Sequence, residues 1–262
     1  MKRIYAFFIS FILTFCIMLC MFAGLYWIVS REIHAAEVKQ QGVPVATIQP
    51  KNSKTTLCVV KTDEEEYYFL IKLNAIQNKV SVVALPQGFY MDGADRTLAE
   101  SMDYAGVRQC VQDLTEHFAI KISYHFVCDL NTADKLAEGF RQAEGGGITI
   151  PQKFENCFKG GGITSAKIAA AMAISDAGEE DTAFIGAAVA ELVKANMDNI
   201  GLYMSQAVKE NYSALNTDIG TIELAQLEEI VKFLCNESTE YGFVAVKQEQ
   251  NPQQAVEKEL NG

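Results

Sequence analysis

The sequence predicts an α/β fold, with α+β as the alternative: a single three-layer-like domain with a central mixed sheet and flanking helices, preceded by one transmembrane helix. Three observations predict it. Residues 4–29 contain no charged side chain. Residues 68–74 and 79–85 alternate apolar and polar positions, the period of a strand. The remaining chain interleaves further short strand patterns with helical stripes, and strands mixed with helices in this order build layered sheets.

The uncharged run is dominated by Phe, Ile, Leu, Met and Val over 26 residues. A bilayer core needs about 20 apolar residues in a helix, whereas the apolar part of a cleaved signal peptide is about 7–15. The reading is therefore an uncleaved anchor. Lys2, Arg3 and the terminal amine precede the run, while Arg31 and Lys39 behind it are offset by Glu32 and Glu37. That asymmetry places the N-terminus in the cytoplasm and the domain outside. The expected organisation is a cytoplasmic tail at 1–3, a membrane span at 4–29, a linker at 30–55, an extracytoplasmic domain at 56–247 and a disordered tail at 248–262. The linker carries Gly42, Pro44 and Pro50, residues that interrupt regular structure.

Beyond the span, residues 32–262 hold 33 acidic against 19 basic side chains, a net charge of −14. Such a balance disfavours nucleic acid, whose phosphates are bound through basic surfaces. Outside the span the cysteines are Cys58, Cys110, Cys128, Cys157 and Cys235. Their odd number and scattered spacing support neither a disulfide framework nor a zinc site, and they read as small core residues.

Element by element, Phe69, Ile71 and Leu73 share a parity, as do Val80, Val82 and Ala84, and residues 75–78 join the two runs. This predicts a β-hairpin with one buried face. Residues 56–60, 124–128 and 241–246 are further strand candidates. Val107, Val111, Leu114 and Phe118 mark one helix; Leu224, Leu227, Ile230, Val231 and Leu234 mark another, with Thr221 placed to cap it. Residues 131–140 form a helix starting on Asn131, and 183–197 an Ala-rich amphipathic one. The acids Asp176, Glu179, Glu180 and Asp181 read as a solvated helix start, where negative charge meets the positive dipole end. His117 near a helix end and His125 facing outward on a strand lack a neighbouring nucleophile motif. The glycine triplets at 145–147 and 160–162 read as turns, because no Lys-Ser/Thr phosphate loop follows.

The stretch from 66 to 150 resembles the LytR-CpsA-Psr family. The resemblance is carried by Lys72-Leu73-Asn74 followed by Val80-Ser81-Val82-Val83-Ala84-Leu85-Pro86, then residues 98–106, then Ile120-Lys121-Ile122-Ser123-Tyr124-His125-Phe126-Val127-Cys128-Asp129. The helix to Phe140 and the turn Gly145-Gly146-Gly147-Ile148 continue it, and a weaker match runs over 161–194. The family's plan of one span and an external domain agrees with the anchor.

The resemblance implies a transferase that moves a phosphoglycosyl group from a polyprenyl-pyrophosphate carrier to peptidoglycan. It implies arginines on the pyrophosphate, carboxylates on a divalent metal such as magnesium, and an apolar tunnel for the lipid. Phosphoryl transfer rests on clamping charge at the non-bridging oxygens, and here the clamp is missing. Gln87-Gly88 stands where the family has Arg-Asp, and the Arg-rich segment corresponds to the neutral and acidic residues 171–184. Beyond Arg31 only Arg96, Arg108 and Arg141 remain.

The expectation is a non-catalytic envelope protein, a pseudoenzyme with no catalytic residue, no evident metal ligands and no cofactor. It would act in polyprenyl-lipid binding, scaffolding or regulation of wall glycopolymer assembly. Its partners would be the membrane and a polyprenyl lipid or cell-wall polymer, not nucleic acid. Ligand-binding candidates are Glu66, at the family's acidic position, with Lys72, Gln87 and Arg96. The alternative is a divergent phosphotransferase in which Lys72, Lys79 or Arg96 supplies the missing charge.

Overall fold

A computed structural model describes residues 52–145, 147–248 and 252–261. The expected span at 4–29 and most of the linker at 30–55 lie outside the described residues. Among the described residues no helix is long and apolar enough to cross a membrane.

Apolar runs able to bury both faces assemble one six-stranded sheet. Strands β1 (Ser53–Lys61), β2 (Glu66–Asn74) and β3 (Lys79–Leu85) form an antiparallel meander. A two-residue hairpin, β4 (Tyr90–Met91) with β5 (Arg96–Thr97), lies apart from the sheet. β6 (Tyr124–Asp129) adds parallel to β1, and β7 (Asn216–Thr217) closes that side antiparallel to β6. β8 (Glu240–Ala245) adds parallel to β3, giving the order β7-β6-β1-β2-β3-β8. The sheet is mixed, and its parallel pairs need crossover helices.

Those helices make the outer layers. On one face α1 (Leu98–Ala105), α2 (Val107–Phe118) and α8 (Pro252–Asn261) cover Leu57, Val59, Tyr68, Leu70, Val83 and Leu85. On the other, α3 (Leu130–Leu136), α4 (Ser165–Met172), α5 (Glu179–Ala195), α6 (Met197–Glu210) and α7 (Thr221–Leu234) cover Tyr67, Phe69, Val80 and Ala84. Full burial of each large apolar side chain contributes roughly 1.5–3 kcal/mol, so the two faces together dominate the stability. Thr97 and Glu100 form a reciprocal capping box at the start of α1. Gly106 turns the chain between α1 and α2 at φ +75°. Gly186 lets α5 lie close on the sheet, for a Cβ there would stand 2.4 Å from that of Ala84.

Several expectations change. The hairpin of β2 and β3 is buried on both faces, because Tyr68, Leu70, Val83 and Leu85 meet a second helix layer. Asp129, not Asn131, caps α3 by accepting the Thr132 N–H at 2.7 Å; the helix leaves the strand without an intervening loop. Gly220 holds the cap position of α7, and Thr221 is its first helical residue. His125 is buried, its Nδ1 3.2 Å from Asp218, which also accepts the His125 N–H at 2.8 Å. Residues 252–261, expected as part of a disordered tail, form α8 and bury Val256 and Leu260 against α2 and the sheet.

Candidate functional site

Parallel strands end together, and loops at their carboxyl ends surround a crevice in open α/β sheets. β1 and β6 are such a pair, ending at Lys61 and Asp129. The chain leaves Lys61 in a tight turn: Thr62 Oγ1 accepts the Glu65 N–H at 2.8 Å and donates to the Glu65 carbonyl at 3.0 Å. This turn, the β6–α3 junction and the end of α4 enclose a basin of about 510 Å³. Its lining includes Lys61, Asp63, Glu64, Glu65, Asp129, Asn131 and Ser175. Four carboxylates face one lysine there, and Lys61 is already paired with Glu66.

Several acids in and beside the basin are engaged. Glu66 accepts from Lys61 and from the Tyr68 hydroxyl. Burial first, and then Glu66, drives the Tyr68 pKa upward, so the hydroxyl keeps its proton. Gln87 donates to Glu65 and accepts the Glu66 N–H at 3.3 Å. The backbone and side chain of Thr132 hold Asp129 below the usual carboxylate range. Behind Ser175, Asp181 is buried. Burial acts to raise its pKa, but Lys153, Ser175 at 2.7 Å and the Asp176 N–H outweigh that and lower it. The solvated helix start expected for this acid is thus a buried carboxylate paired with the exposed Lys153.

A second cavity lies further along α3. Leu130 and Asn131 line the basin, whereas Ala133 and Leu136, one turn on, line an apolar groove of about 300 Å³. Its floor is Cys58, Val60, Phe126 and Cys128 on the sheet; its opposite wall is α6, through Ile200, Tyr203, Met204 and Val208. Burial raises the Cys58 thiol to about 12 and the Cys128 thiol to about 11, so both floor thiols stay neutral. With Glu138 its one charged lining residue, the groove carries little charge beside a basin that is strongly negative.

Divalent metal, which the family resemblance implies, does not fit these residues. Glu66 has both oxygens engaged, Glu65 is tied to Gln87, and Asp129 serves the helix cap. Among the described residues no three His, Cys, Asp or Glu side chains converge as a metal set would.

Of the four predicted ligand-binding residues, the structure brings Glu66 and Gln87 together beside the basin. Lys72 lies at the other end of β2 and donates to the Leu260 carbonyl; burial, and then Lys79, lowers its pKa. Lys79 pairs with Glu259 at 3.0 Å, so the two lysines serve the carboxyl end of α8, where cations complement the dipole. Arg96 stacks on Tyr104 at 4.7 Å and approaches the buried Asp113 at 3.8 Å. Sequence reasoning missed Lys61, Glu65, Asp129 and Ser175. Strand order alone brings them together, and the acidic run at 63–66 reads locally as solvated charge.

No protein-family model and no curated protein matches the chain. Solved structures do. TagT from B. subtilis superposes with a TM-score of 0.56 at 14% identity, over 81% of this chain and 93% of that one. TagT bound to LIIa-WTA gives 0.60 at 15% identity, over 81% and 91%. A protein described as a transcription regulator from Eubacterium siraeum gives 0.60 at 15%, over 80% and 90%. TagT is a LytR-CpsA-Psr enzyme. The chain has the LytR-CpsA-Psr fold. At these identities the likeness is one of fold, and the chemistry of this domain must be read from the residues present.

Proposed function

We propose that this chain is a membrane-anchored cell-envelope protein whose LytR-CpsA-Psr-like domain holds the apolar chain of a polyprenyl lipid without catalysing transfer from it. Residues 4–29 would anchor it with the N-terminus in the cytoplasm and the domain outside. The carrying observation is the pairing of an apolar groove with a negatively charged basin whose one lysine is paired with Glu66. An apolar groove binds hydrocarbon by removing it from water. Four carboxylates repel a pyrophosphate, and transfer needs cations or metal on its oxygens. Such a domain would scaffold or regulate wall glycopolymer assembly. Against a divergent phosphotransferase stand the positions of Lys72, Lys79 and Arg96, all engaged away from the basin.

The test uses the full chain released from detergent micelles into native mass spectrometry with a neutral polyprenol. A bound adduct is expected, and it should disappear in Ala207→Trp, which fills the groove. In parallel, incubation with a polyprenyl-pyrophosphate glycan and peptidoglycan should release no polyprenyl phosphate. Turnover that Lys61→Ala abolishes would establish the phosphotransferase instead.

A further inference from the structure

We infer that the β8 edge of the sheet is a homodimer interface, with two copies joined antiparallel about a two-fold axis through Phe243. The two edges of the sheet differ in how they end. At one, β7 pairs with β6 and Asp218 takes the His125 N–H. At the other, β8 ends the sheet among the described residues. Glu240 and Val246 donate to Asn78 and Ala84 of the β3 side. With the strand's period of two, the N–H and C=O groups of Tyr241, Phe243 and Ala245 point away from β3. Tyr241 to Ala245 are all half-buried, and the stretch contains no proline, lysine or other charge, the usual protections of a free edge.

Self-pairing follows from symmetry. Three outward residues with Phe243 in the middle match Phe243 to its copy and Tyr241 to Ala245 of the other chain. All six outward groups are then used, and an isologous pair closes without further growth. α5 fits the same axis. Gly186 rests on Phe243, so Ala187 is level with the dyad, and Ala190 and Lys194 stand beside Tyr241 and Phe243. Ala183, Ala187 and Ala190 are half-buried on this flank, small enough for a second α5 to approach. Glu180 and Lys194 are both exposed and lie seven residues to either side of Ala187. In an antiparallel pair of α5 helices, each Glu180 meets the other copy's Lys194. Charge complementarity thus selects a second copy over an unrelated strand.

The experiment measures the mass of the full chain in detergent by sedimentation across a concentration series. A dimer is expected. Lys194→Glu should raise its dissociation constant about tenfold by turning two attractions into repulsions. The double reversal Glu180→Lys with Lys194→Glu should restore it. Independently, Phe243→Cys should cross-link to its own copy, above the unsubstituted background, with a reagent matched to the ~5.5 Å Cα spacing of a hydrogen-bonded pair. Ala245→Cys alone should not, being offset by four residues from its copy. A monomer at every concentration overturns the inference. So does a dimer indifferent to both the charge reversal and the Phe243 cross-link, which would place the contact elsewhere.

Discussion

The basin and the groove share α3 and the adjoining ends of β1 and β6, yet their chemistry is opposite. The basin is walled by turns, and acids in it or behind it are held by fixed donors: Gln87 on Glu65, Lys61 and Tyr68 on Glu66, Lys153 and Ser175 on Asp181. The groove is walled by a strand face and two helices, whose inward positions are apolar by the same periodicity that builds the core. One fold thus places an apolar groove and an acidic basin side by side. The groove is an extension of the core, whereas the basin depends on individual side chains in loops.

The comparison can be broken most forcefully from the groove. Val60→Asp places a carboxylate on its floor without a cation, and should cost about 3 kcal/mol in chemical denaturation as well as abolish polyprenol binding. A variant of unchanged stability would show the groove to be as wet as the basin. Next in size, Asp181→Ala removes the acceptor of Ser175 and the Asp176 N–H behind the basin. It should lower stability by about 2 kcal/mol while leaving polyprenol binding intact. Loss of binding in that variant would mean that the two cavities are coupled.

Acid offers a gentler probe of the same wall. The folded state holds Asp181 below the usual carboxylate range, so its stabilisation is present above its unfolded pKa of about 3.9 and is lost as pH falls through the folded value. Thermal melts of Asp181→Asn should therefore fall less than those of the parent chain below about pH 4. The smallest effect belongs to Lys61→Ala. Its pair with Glu66 is part-exposed, so the stability change should stay under about 1 kcal/mol. Polyprenol binding should be unchanged, since a neutral polyprenol carries no charge to feel the loss.

Periodicity made much of the fold legible. The hairpin was readable to the residue in β3 and within two residues in β2, and the stripes at Val107 and Leu224 sit on α2 and α7. What periodicity reports is which residues avoid water, not which neighbour covers them. Tyr68 and Leu70 therefore read as an exposed face until α1 and α2 were seen to cover it. His125 read as outward because its partner, Asp218, lies 93 residues away. The stretch around Val256 is polar enough to pass for a tail, and Val256 and Leu260 become core only where α2 supplies a surface.

For the candidate site the division is similar. The scarcity of arginine and the acidic surplus could be read from the sequence, since they concern residue types at places in an order, whereas the contact of Gln87 with the Glu66 backbone could not. Tertiary structure alone decided that Lys72 and Lys79 belong to the end of α8, that Arg96 belongs with Tyr104 and Asp113, and that Lys61 and Asp129 face one basin. The physical reason is range. Helix and strand patterns arise from neighbours within a few residues, but an electrostatic site is set by distances through space. Those distances exist only after β1 has paired with β6 across the 62 intervening residues.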